Sequence, residues 1–189
     1  KKIAEQLTLL DFKIFKRIRA FELVDQAWNI NKHCAVNVID HITRLNHVSY
    51  WVPSLILWSA KLKQRGEVLC KFIRIGQELL SLHNYNTLMG LVAGLNMSCI
   101  TRLTYTLNFL PDYQVEIMDS LVDLFHPFRS FKVYRDDIAK ASRPVIPYLG
   151  VYLTDLTFID EGNMDKEEGL INFGKRFLTG QILERIQHF

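Results

Sequence analysis

His33, His41 and His47 lie close together in the chain, and helical spacing puts His33 and His41 on related faces. That is how a metal site begins, but no cysteine or carboxylate completes a credible set around them. Solvated or core histidines are the reading. The three cysteines, Cys34, Cys70 and Cys99, are odd in number, far apart and without a CxxC pair. A disulfide framework and a zinc site are both disfavoured, and a reducing compartment fits best. There is no GxxxxGK[ST] loop to cradle a nucleotide triphosphate, and no GxSxG, HExxH or GxGxxG. No catalytic residue, cofactor or metal is therefore expected, and a small-molecule active site has no motif behind it. "NMS" at Asn96 is a formal glycosylation sequon that an intracellular chain leaves unused. The most pointed feature is a lack. From Leu79 to Pro111 there is no Asp or Glu, and Arg102 is the only permanent charge. Such a span is either buried core or a surface kept for a partner.

The elements that position these residues read as helices. The opening segment spaces Ile3, Leu7, Leu10, Ile14 and Ile18 helically, and Val36–Val52 repeats the pattern through Val36, Ile39, Ile42, Leu45 and Val48. Further helices are predicted over Leu55–Lys63, Glu67–Leu82 and Thr87–Leu95. After Pro111, helices over Tyr113–Phe125 and Lys132–Ala141 flank the turn "HPFRS" and are expected to lie antiparallel. "PYLGVYLTDLTFIDEGN", Pro147–Asn163, fits helical spacing through Leu149, Leu153, Leu156 and Ile159, with Pro147 in the first turn and Gly162–Asn163 as cap. The last helix is Asn172–Phe189, with Phe173, Phe177, Ile182 and Ile186 as its apolar positions. Gly90 and Gly94 have small-xxx-small spacing, which in such a helix permits close packing. Strand signals are few, and no NG or DG hairpin turn sits between alternating runs. The fold class is all-α, a single helical domain over residues 1–189.

Composition bounds the function. With 49% hydrophobic and 23% charged residues over 189 positions, the chain can bury one good core. A net charge of +3 gives little support to nucleic-acid binding. No secretory signal opens the chain and no apolar run is long enough to span a bilayer. A cytoplasmic domain taken from something longer, with no direct membrane insertion, is the expectation.

Six blocks then occur in a telling order: "IAEQLTLLDFKIFKRI", "RLNHVSYWV", "LHNYNTLMGLVAGLN", "TRLTYT", "PYLGVYLTDLTFIDEGN" and "LINFGKRFLTGQILERIQHF". In this the chain resembles the catalytic domains of Ras guanine-nucleotide exchange factors, from Ile3 to Phe189. The resemblance implies an all-helical domain that binds a Ras-family small GTPase of Ras, Rap or Ral type. It grips switch II in a pocket of the helical core and displaces switch I with a protruding helical hairpin before the PYLG block. It makes and breaks no covalent bond. It implies a monomer brought to membranes by other regions of a longer protein. The alternative is a scaffold that keeps the fold and binds the GTPase without opening it.

By that resemblance Thr8 and Leu9 match the motif lining the switch II site, Asn46 and Trp51 the GTPase-facing pair of the second block, and Tyr85 and Asn86 the pair at the entry to the hairpin. Thr8 and Tyr85 each have a structural reading beside the contact reading. Asp160 and Glu161 are placed to reach switch II or to serve as cap, and Arg102 as contact or as ion-pair anchor. The hairpin is expected within Tyr85–Ala141, its leading helix in the acid-free span and the two helices after Pro111 as bracing. Leu95 and Leu103 are the two candidates for its apolar wedge. Relatives often carry an acid on that leading helix, and the acid-free span has none; Val145 stands where many relatives have cysteine.

Overall fold

The computed structural model describes every residue from Lys1 to Phe189 and is all-α apart from one small ribbon. In order the elements are α1 (Lys2–Phe15), α2 (Ala27–Ile30), α3 (Val36–Trp58), α4 (Leu62–Ser81), α5 (Tyr85–Leu95), α6 (Ser98–Thr101), α7 (Thr104–Leu107), α8 (Asp112–Leu124), α9 (Phe128–Lys140), α10 (Leu149–Gly162), β1 (Lys166–Glu167), β2 (Leu170–Ile171) and α11 (Phe173–Gln187). No helix is long and apolar enough to cross a membrane.

The centre of the domain is α5, buried at every position except Met89 and Ala93. It can sit so deep because Gly90 and Gly94 let it touch the backbone of α3. A Cβ on Gly90 would stand 2.9 Å from the Leu45 carbonyl oxygen, and one on Gly94 2.7 Å from that of Ser49. The small-residue spacing is a packing device. Two helices were expected where α3 is one, because Pro53 reads as a breaker. Proline removes the N–H that would bond the Ser49 carbonyl, and burial of Pro53 and Val52 against α5 holds the helix through that gap. The N-terminus of α3 is satisfied from outside: the buried Glu22 carboxylate accepts from the backbone N–H of Asn37 (2.8 Å) and Val38 (3.2 Å).

Apolar periodicity placed the core face of α1 one residue off. Ala4, Asp11 and Phe15 are buried, whereas Ile3 and Leu10 are exposed. A buried carboxylate in the stripe disguises it. Phe173 and Phe177 are likewise exposed, and α11 buries Lys175 and Ile186. The ribbon β1–β2 was not expected. It turns at Glu168 and Gly169, both at positive φ (51° and 83°), a hairpin geometry without the usual Asn-Gly or Asp-Gly signature.

The core has two parts. One gathers α3, α4, α5 and α8 around Val52, Leu69, Ile73, Leu88 and Leu121. The other joins α1, α3, α10 and α11 around Phe15, Val38, Leu149, Leu156 and Ile186. The helix α10 serves both, with Val151 in the first and Tyr152, Leu153 and Leu156 in the second, which explains its weak amphipathicity. Pro147 precedes its N-cap, Tyr148, rather than lying in the first turn.

A parallel bridge closes the middle of the chain. Tyr85 N–H donates to the Ile146 carbonyl (2.9 Å), and Ile146 N–H to that of His83 (3.0 Å). Everything from α5 to α9 is therefore an excursion that leaves and returns at one clamped point.

Candidate functional site

The buried carboxylate of Asp11 organises one end of the domain. It is fully buried, ion-paired with Arg44 Nε of α3 (3.1 Å), and accepts hydrogen bonds from Asn86 Nδ2 (3.2 Å) and the Thr87 hydroxyl of α5. Beside it Asn84 caps α5, accepting from Thr87 N–H (3.1 Å) while its Nδ2 donates to Thr8 Oγ1 (3.2 Å) and Thr87 Oγ1 (3.2 Å). One polar network thus fixes α1, α3 and α5 to each other. A buried charge is tolerable only with such partners.

This network brings Thr8 and Asn86 together and seats Tyr85 next to them. Asn86 is 1% exposed and spends its amide on Asp11, so it supports the surface from beneath instead of forming it. Tyr85, also 1% exposed, donates its hydroxyl to Asp137 Oδ2 of α9 (2.7 Å) and packs edge-on to Tyr134 (5.4 Å between centroids). Burial, with Asp137 beside it, pushes the Tyr85 phenol far above its ordinary pKa, so it stays a proton donor. The expected contact at Tyr85 is corrected accordingly: this residue anchors α9 to the core. Phe125, Tyr134 and Tyr148 extend the same aromatic cluster to α8 and α10, and Tyr148 N–H donates to Tyr134 Oη (2.9 Å).

The residues left at the surface are Leu9 on α1, 54% exposed, and Asn46 on α3; Thr8 and Trp51 are half-buried. Trp51 stands edge-on to Phe72 of α4 (5.0 Å, 84°). Tyr50, exposed one turn beyond Asn46, shares its face and was overlooked because an aromatic in a helical run reads as core. Tyr105 is a second exposed aromatic missed for the same reason.

Within the expected hairpin range, Tyr85–Ala141, buried and outlying helices are distinct. Of the acid-free span, α5 is core, and Leu95, 3% exposed within it, has no free surface with which to act as a wedge. Leu103, between α6 and α7, is half-buried against the core. The two helices after Pro111 are α8 and α9, which pack on each other. Gly76 of α4 admits Leu121 of α8, whose Cδ1 would stand 2.7 Å from a Cβ there, and Tyr134 roots α9. Arg129, Ser130 and Phe131 have positive φ (52°, 55° and 61°), so right-handed helix in α9 begins at Lys132, where the sequence placed it. The outer face of α8 carries Asp112, Glu116, Asp119 and Asp123, all exposed and spaced to form one stripe.

At the far end of α10, Asp160 is not free: Lys175 Nζ lies 3.3 Å from it and 3.0 Å from Asp165, and Lys175 is 5% exposed. Glu161 is exposed and without an ion pair, but no contact brings it to the Asp11 end. Arg102 is exposed and makes no ion pair, which removes its anchoring role. Of the three histidines only His41 is buried, 5.7 Å from the Phe15 ring, with neither ring nitrogen hydrogen-bonded. Burial lowers its pKa below the ordinary histidine value against the pull of Asp11. No three metal-ligating side chains stand close enough to hold an ion.

Comparison with known proteins gives these surfaces a context. The model of the RasGEF domain family matches residues 2–177. The chain is 43% identical to Ras guanine nucleotide exchange factor J of Dictyostelium discoideum, covering 100% of this chain and 24% of that protein. It is 42% identical to exchange factor I of the same organism, covering 100% and 23%. With exchange factor A the identity is 41%, over 99% of this chain and 32% of that protein. The chain thus spans between about a quarter and a third of the length of these relatives.

Proposed function

The chain belongs to the RasGEF domain family, and on that premise we propose that it is an exchange-catalysing domain, one that binds a Ras-family small GTPase and speeds release of its GDP. The observation that carries this reading is the family match over residues 2–177, joined to a surface with the parts such a task needs. Leu9 on α1 and Asn46 and Tyr50 on α3 offer apolar and amide-bearing side chains to solvent from two helices that the Asp11 network fixes to each other. The helices α8 and α9 form a second, braced pair, with acids along the outer edge of α8.

No covalent chemistry is required. A GTPase holds GDP through phosphate contacts and a magnesium ion. A partner that binds the nucleotide-free form more tightly than the loaded form weakens nucleotide binding by the same factor. Each tenfold gain in release rate needs about 1.4 kcal/mol less barrier. In this reading the Leu9–Asn46 face grips the GTPase and α8 enters near the nucleotide site. There its carboxylates compete with the phosphates for the GTPase's cationic groups. Tyr85 and Asn86 act by position, the first fixing the hairpin and the second fixing α1 to α5. The direction of exchange comes from the surrounding nucleotide pool.

Thermodynamic linkage supplies the test. Affinity measured by calorimetry for a Ras, Rap or Ral type GTPase should be at least tenfold higher for the nucleotide-free than for the GDP-bound form. Leu9→Glu and Asn46→Ala should weaken it with unchanged helical circular dichroism. Equal affinity for both forms would refute the exchange reading and leave a scaffold; no binding to any of the three would remove both.

A further inference from the structure

Three arginines from three separate elements line one cavity of about 350 Å³: Arg135 of α9, Arg143 of the loop before α10, and Arg185 of α11. Ile138, Val145 and Phe189 form apolar wall between them, with Tyr152 of α10. Only Arg135 is neutralised, its Nη2 donating to Asp155 Oδ1 at 2.7 Å. Neither the Arg143 nor the Arg185 guanidinium forms an ion pair or a side-chain hydrogen bond within the protein. A contiguous recess adds Gln181, Glu184 and His188, and Glu184 pairs with neither arginine. Burial pushes the Tyr152 phenol up to about 12, while Arg185 and then Arg135 pull it back, so both cations act on the same hydroxyl.

Like charges gathered in a concave, partly apolar space repel one another and focus a positive potential into it. Arg143 and Arg185 are exposed to solvent at the mouth of this space and have no carboxylate partner, so both are free to meet an anion. Guanidinium is planar, always charged and forked to match two oxygens of a tetrahedral anion. The volume exceeds what one small anion fills and is in the range of small-ligand sites, so the anion's carrying group has room along the apolar wall. We propose that this cavity between α9, α10 and α11 binds a phosphomonoester, held by Arg143 and Arg185 with Arg135 and the Tyr152 hydroxyl behind them. Phosphomonoesters occur both as soluble sugar or inositol phosphates and as lipid headgroups, and the site's chemistry is common to the two.

The experiment titrates the protein with inositol trisphosphate by calorimetry. In parallel it measures retention on phosphatidylcholine vesicles that carry phosphatidylinositol bisphosphate or, as a phosphodiester control, phosphatidylserine. The expected result is saturable binding that Arg143→Gln and Arg185→Gln each weaken by roughly tenfold or more, with unchanged circular dichroism. Lys63→Gln, an equal charge change at an exposed position of α4, should leave it intact. Retention on bisphosphate vesicles that free inositol trisphosphate competes away assigns the site to a lipid headgroup. Binding of the free compound without vesicle retention assigns it to a soluble ester. Non-saturable binding, equal retention on both vesicles, or equal loss with Lys63→Gln overturns the proposal. Should Arg185→Gln disturb the fold, Arg143→Gln, in a loop, carries the test.

Discussion

Two buried side chains set the most direct expectations at the level of single residues. Tyr85 is core and anchor of α9 at once, so Tyr85→Ala removes a buried ring and should cost about 3–5 kcal/mol of stability. Tyr85→Phe keeps the ring and deletes only the bond to Asp137, with an expected loss of about 1 kcal/mol in urea unfolding. A larger fall in exchange rate than in stability for the phenylalanine variant would mark the Asp137 bond as what orients α9. His41 makes a prediction about pH. Its folded pKa lies below the unfolded value of 6.5, so the unfolded chain takes up that proton first as the pH falls. Its contribution is complete above the unfolded value and is lost as the pH falls towards the folded one. The slope is at most about 1.4 kcal/mol per pH unit. His41→Leu should therefore lose less stability than the parent between about pH 7.5 and about pH 5.5 in paired denaturation curves, since this proton no longer counts.

For whole helices, close approach can be separated from propensity by two glycines. Gly94→Ala puts a Cβ 2.7 Å from the Ser49 carbonyl and should destabilise by about 1–3 kcal/mol, with α3 and α5 forced apart. Gly180→Ala, in α11 with nothing within 4 Å, should instead stabilise by about 0.5–1 kcal/mol. Urea melts of both compare them. The acidic stripe of α8 gives a functional counterpart: Glu116→Lys with Asp119→Lys should slow exchange roughly tenfold or more without changing the melting temperature. The long helices and their order were legible from periodicity and sparse proline, including the two after Pro111, whereas the single-turn helices α2, α6 and α7 were not. Two kinds of error remained. Where a helix runs through a proline, as α3 does at Pro53, or buries a carboxylate, as α1 does at Asp11, the local pattern misleads because tertiary partners override it. A span without acids reads as special, whereas in α5 it reflects burial.

For the whole molecule, the family was legible because its ordered blocks span the chain, whereas the site was legible only as motif positions. Which motif residues face outwards depends on packing: Leu9 and Asn46 do, while Tyr85, Asn86 and Leu95 support from within. Tyr50 and Tyr105 are open to solvent though nothing in their spacing says so. The excursion from α5 to α9 leaves and returns at the clamp between His83–Tyr85 and Ile146, and the Tyr85–Asp137 bond fixes α9 to α5. The most direct test of the central claim is release of fluorescent GDP from Ras, Rap and Ral type GTPases, with excess unlabelled nucleotide and increasing amounts of this protein. The account predicts that release from at least one of them accelerates in proportion to the protein added, and that the α8 double variant loses the effect. Release that stays at its spontaneous rate for all three, despite measurable binding, would contradict it.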